Sequence, residues 1–127
     1  MFRIRAVQME AFREQKRREL ARWLAAHLRR SRVPAVESLA EGALFEETLA
    51  GIRRAEAYGL VESDAAARFV STMFLRGRCF DAHPAIRALL TDPAVPAALR
   101  MDMVFATISE AQWREARALG PGGGDGP

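Results

Sequence analysis

Apolar side chains recur along this 127-residue chain at steps of three and four, and no useful stretch alternates apolar with polar, so the pattern predicts helices and no sheet. The first predicted helix runs from Val7 to Arg30. Met9, Phe12, Lys16, Leu20, Trp23 and His27 share one face of it, Leu24 and Leu28 widen that face, and Glu14, Arg18, Arg22 and Arg29 lie opposite. Lys16 interrupts the apolar stripe, which either narrows there or lets the side chain snorkel to solvent. The expected packing puts the stripe inward and the arginines outward.

Pro34 disfavours helical geometry at Val33 and ends this segment. A second helix is expected over Val36 to Tyr58, loosened near Gly42, burying Leu44, Leu49, Ile52, Ala55 and Tyr58. Gly59 reads as a left-handed helix stop with Leu60 as its hydrophobic partner. Ser63 is the expected cap of a third helix, with Asp64 at its positive end, which buries Ala66, Phe69, Val70, Met73 and Phe74 and stops near Gly77. A connector over Cys79 to Pro84 leads to a short helix ending at Leu90, packed through Ile86, Leu89 and Leu90.

From Pro96 a further helix carries Leu99, Met103, Val104 and Ile108. Ser109-Glu110-Ala111-Gln112 is a capping-box pattern, so either a new helix starts there with Trp113 inward or one helix runs through to Leu119. The expectation is an all-α, compact bundle of five or six helices forming one domain over residues 1–119. Residues 120–127, rich in Gly and Pro, read as a disordered tail.

Charge changes this picture in one respect. Ten of the nineteen basic residues fall within the first 32 positions against three acids, so that stretch carries about +7 while the remaining 95 residues carry about −4. Half the residues are apolar, which is enough for a core. No run of about 18 apolar residues and no secretory apolar region is present, and Cys79 is the only cysteine, so a cytoplasmic chain without an internal disulfide is expected.

Candidate chemistry is sparse. Cys79, Asp81 and His83 stand at alternate positions and could ligate zinc, with His27 as a distant fourth ligand, but structural zinc sites use two close ligand pairs. The plainer reading is that Phe80 anchors the connector while Asp81 or His83 caps the next helix. His27 and His83 lack the partner signatures of nucleophilic catalysis, and no phosphate-cradling glycine loop occurs. No enzyme activity, metal or cofactor is expected.

Nucleic-acid binding has two supports: the basic first helix, with pI near 10.0, and the helix-turn-helix rhythm of Ala55-Glu56-Ala57-Tyr58-Gly59-Leu60. Against it, the following helix offers base edges little beyond Arg68. An apolar stripe flanked by arginines also suits an anionic membrane surface. What remains is protein binding, with Arg13, Arg17, Arg18, Arg22 and Arg29 as the candidate surface for an acidic partner. Trp23 and Trp113 are either core residues or interface anchors.

One resemblance bears on function. It is carried by Ile4-Arg5-x-x-Gln8-Met9-x-x-Phe12, Leu24-x-x-His27-Leu28, Arg54-Ala55-x-x-Tyr58-Gly59-Leu60, Ser63-Asp64 and Phe69-Val70. It continues through Gly77-x-x-Phe80-Asp81-x-x-Pro84, Leu90-x-Asp92-Pro93 and Arg100-Met101-Asp102. The pattern resembles small helical bacterial proteins encoded beside type VI secretion effectors and their PAAR spike-tip proteins, and it covers nearly all the chain up to Leu119. The resemblance implies a non-enzymatic accessory that binds a secretion effector or spike-tip protein as an adaptor or chaperone, or alternatively an immunity protein that neutralises a cognate toxin. It supplies no catalytic residues, and the Gly/Pro tail departs from it.

Overall fold

A computed structural model describes residues 2–119, with side chains from Ala6 onward; the segment read as a disordered tail lies outside the described residues. The fold is all-α. Its helices are α1 (Phe2–Arg30), α2 (Pro34–Glu37), α3 (Glu41–Ala57), α4 (Ser63–Arg76), α5 (Pro84–Leu90), α6 (Ala97–Thr107) and α7 (Glu110–Arg117), with a 3-10 turn at Phe80–Ala82 between α4 and α5. Seven helices stand among the described residues where five or six were expected.

The second expected helix is split. Pro34 opens the short α2, the Leu39 carbonyl is taken by the Arg29 guanidinium at 2.7 Å, and extended Ala40 precedes α3. The capping box resolves the other ambiguity. Ser109 Oγ accepts from the Gln112 amide at 3.1 Å, Gln112 Oε1 accepts from the Ser109 amide at 2.9 Å, and α7 starts as a separate helix.

Local stops follow their expected chemistry. Gly59 has φ +84°, the Leu60 amide reaches the Ala55 carbonyl at 2.9 Å and the Gly59 amide reaches that of Glu56 at 2.8 Å, a complete Schellman pair with Leu60 buried beneath it. His83 caps α5 by accepting the Ala85 amide at its Nδ1. Ser63, expected as a cap, is instead the first residue of α4; Glu62 holds the cap position without a side-chain bond.

Helix α4 is central, packing on α3, α6, α7 and α1. The absence of a side chain at Gly51 lets α3 approach it closely, since a Cβ there would lie 2.8 Å from Met73 Sδ. Helices α1 and α3 are antiparallel: Glu14 and Arg17 meet Arg53 and Glu56, while Arg22 lies over Phe45. The core runs through Leu24, Leu49, Ile52, Phe69, Phe80 and Met101, all under 3 % exposed. Leu99 and Met103, expected inward, are exposed, and Met101 takes their place.

Thr48 is fully buried in this core and its hydroxyl has no partner among the described residues. Burying an unpaired hydroxyl costs about 1–3 kcal/mol. Thr48→Val keeps the shape and removes the unpaired group, so it is expected to raise the stability measured by urea unfolding by about 1 kcal/mol; a lowered stability would mean that the hydroxyl has a partner.

Candidate functional site

The face of α1 built from Met9, Phe12, Lys16, Leu20, Trp23 and His27 exists as one line, but only Leu20 packs, half-buried, against the core. Phe12 is 60 % exposed and Trp23 56 %, and the first buried residue of α1 is Ala21. The core face is Ala21, Leu24, Ala25 and Leu28, rotated about a third of a turn from the stripe. The alanines let α3 and α4 come close, which a row of Phe, Leu and Trp would prevent. Leu24 and Leu28, read as widening the stripe, are the core contacts themselves.

The stripe instead forms one wall of a groove whose other wall is α4. Three adjoining cavities make it up. The first, about 420 Å³, lies among Phe12, Arg13, Lys16 and Leu20 of α1, Ile52 of α3 and Val61. The next shares Leu20 and Ser63 with it, and adds Trp23 and Ala67. The third, about 240 Å³, extends from Trp23 and His27 past Ser71 to Leu75 and Phe105. Trp23 and His27 stack in parallel at 5.3 Å, which holds both rings flat along the wall. Arg68 lies over the Phe105 ring and pairs with Asp102 at 2.7 Å, closing the far rim.

The five arginines proposed as a cationic surface are spread over three different environments, and all but Arg13 make close contacts within the chain. Arg17 is mostly buried, bonded to Glu56 at 2.7 Å and to Glu14 at 3.1 Å. Its guanidinium is held above its ordinary range chiefly by the Glu56 bond, against the opposing effect of burial. Arg18 bonds Glu14 at 2.9 Å, and Arg53 bonds the same carboxylate at 2.5 Å. Burial pushes the Glu14 carboxyl up, but Arg17, Arg53 and Arg18 together hold it below its ordinary value.

Arg22 lies 5.9 Å over the Phe45 ring, and Arg29 donates to the Val36 and Leu39 carbonyls, tying α1 to α2. Among the described residues Arg13 has one exposed partner, Glu10, at 3.7 Å. An acidic partner docking on Arg17, Arg18 or Arg29 must first displace bonds the chain makes to itself. Arg13, on the groove rim, has the loosest pairing of the five.

Of the candidate metal ligands, Asp81 and His83 serve separate structural purposes, and Cys79 is a free thiol. Asp81 is buried, takes the Arg54 guanidinium on Oδ1 and accepts from the Tyr58 hydroxyl on Oδ2 at 2.8 Å, clasping α3 to the 3-10 turn. Burial first, and then this carboxylate, push the Tyr58 hydroxyl up. His83 spans from its cap at Ala85 to Glu115 Oε1 at 2.8 Å, joining α5 to α7. Among the described residues no three His, Cys, Asp or Glu side chains gather as a metal site, and no helix is long and apolar enough to cross a membrane.

The sequence reading missed Leu75 and Phe105, which complete the groove from α4 and α6. It also missed Arg100, which gathers the Tyr58, Leu90 and Val95 carbonyls. Neither feature leaves a local signal, because each depends on segments far apart in the chain. No protein-family model, curated protein or solved structure matches this chain.

Proposed function

We propose that this chain is a non-enzymatic accessory that works by stoichiometric binding to another protein, in the manner of an adaptor or chaperone. The observation that supports it is the concentration of large apolar side chains, Phe12, Trp23, Leu75 and Phe105, exposed along a single groove. Exposed apolar patches of this kind mark interaction sites, and Trp is a frequent interface anchor. His83 and the Asp81 carboxylate are engaged in capping and clasping, and His27 stacks on Trp23, which favours binding over catalysis. The sequence resemblance supports a type VI secretion effector or spike-tip protein as the partner.

The test is co-purification of the tagged chain from its native organism. The expected result is the product of an adjacent gene in fixed stoichiometry, retained at about 1 M salt, where charge attraction is screened within about 3 Å. Rescue of cells from that partner's toxicity would assign an immunity role in place of the adaptor. Nucleic acid released by the same salt, or no stoichiometric protein, would refute the reading.

A further inference from the structure

We infer that the groove between α1 and α4 seats one amphipathic helix of the partner, with carboxylates at the end that lies over Arg13 and Lys16; this rests on the protein-binding reading above. The dimensions suit a helix. From Phe12 to His27 the α1 wall spans about 22 Å, the length of about four helical turns. The α4 wall presents Ser63, Ala67 and Ser71 at steps of four, side chains small enough for a third helix to approach. Aromatic groups stand at both ends, Phe12 at one and Trp23 with Phe105 at the other, giving spaced anchors for a helix docked in a groove.

The charge on the rim sets polarity and class of partner. Arg13 and Lys16 line the Phe12 end, and both are well exposed. Among the described residues their contacts are weak: Glu10 stands 3.7 Å from Arg13 and Glu19 4.0 Å from Lys16, each an exposed pair three residues apart, and the Lys16 ammonium lies 5.3 Å over the exposed Phe12 ring. Exposed pairs of that kind contribute little, so an incoming carboxylate competes easily. Arg17 below them is satisfied by Glu56 and leaves the cavity floor neutral.

A second copy of this chain is a poor occupant. The α1 wall of a copy, residues 12–27, brings five bases against two acids to face the same cations, and its exposed α6 residues Leu99 and Met103 have Asp102 as the only acid on that helix, which is already paired with Arg68. Like charges across an interface are strongly disfavoured. An acid-flanked helix from another protein meets neither objection.

The test is selection of a displayed library of peptides of about 16 residues on the full chain, followed by titration of the enriched peptide. Enriched sequences are expected to place apolar residues at steps of three and four, with Asp or Glu clustered at one end. Binding should shift the emission of exposed Trp23 to shorter wavelength. Ala67→Glu, which fills the groove, and Trp23→Ala, on a side chain that is 56 % exposed, should each weaken binding about tenfold or more. The Arg13→Glu/Lys16→Glu double reversal should do so for acidic peptides, while Arg18→Glu/Arg22→Glu, off the groove, should leave affinity unchanged.

No enrichment, enriched peptides without acidic residues, or binding indifferent to both Ala67→Glu and Trp23→Ala would overturn the inference. So would a dimer in sedimentation that Ala67→Glu dissociates, since a second copy would then fill the groove. A partner that co-purifies equally with wild type and both groove variants would sink this inference alone and leave the protein-binding reading standing.

Discussion

Phe80→Ala is expected to destabilise the protein by about 3–5 kcal/mol, the range for truncating a fully buried aromatic. Phe80 is wholly inaccessible although it belongs to a turn of only three residues. Its ring centroid lies 5.0 Å from that of Phe69 on α4 and 6.1 Å from that of Trp113 on α7. Removing it opens a void among three elements held apart by different backbones, so no single side chain can collapse to fill it. Set against a total stability of about 5–15 kcal/mol for a domain, the loss is large. Urea unfolding followed by circular dichroism measures it, and a midpoint change worth under about 1 kcal/mol would show that the site relaxes freely.

Gly77→Ala carries the second largest expected effect, for a reason of backbone geometry. Gly77 has φ +150°, a conformation side chains disfavour, at the end of α4. A Cβ there would lie 2.9 Å from Arg117 Cα and 3.4 Å from the Ala116 carbonyl oxygen. Those are main-chain atoms of α7, so no rotamer change relieves the clash. Strained backbone costs about 1–3 kcal/mol, and overpacking adds about as much.

The expected outcome of Gly77→Ala is displacement of α7, because α7 is the shorter helix and ends at Arg117. Arg117 presently bonds the Leu75 carbonyl at 2.9 Å, and Arg76 lies 4.9 Å over the Trp113 ring. Both contacts should weaken together. Trp113 is buried, so its emission should move to longer wavelength along with the loss of stability. Wild-type stability and an unchanged Trp113 signal would show that α4 and α7 do not meet there.

Much of the local structure was legible because short-range chemistry decides it. Gly59-Leu60 has the pattern of a Schellman stop, and Pro84 suits the first turn of a helix. The Ser109–Gln112 box carries its own hydrogen-bond partners within four residues. The inward set of α4, Ala66, Phe69, Val70, Met73 and Phe74, was also readable, since α4 has one apolar face and packs on several neighbours. For α1 the same reasoning failed because that helix has two apolar lines. The line with larger side chains carried more hydrophobicity in the pattern, yet the line with Ala21 and Ala25 fits closer to its neighbours.

The pairing of the arginines was not legible for a related cause. Along the chain they face few acids, and a charged face of a helix reads as open. In three dimensions Arg17 meets Glu56 and Arg53 meets Glu14 across 39 positions, and Arg29 meets carbonyls of the next segment.

By itself, then, the amino-acid order determined the helical class, most helix ends and the residues of the central helix, since each follows from periodicity and capping within a few neighbours. Only the tertiary structure decided which face of α1 turns inward, which cations are already spent on the chain's own oxygens, and that an aromatic stripe lines a groove with α4. Those outcomes depend on close fit and on distances between segments remote in sequence, and no local pattern encodes them.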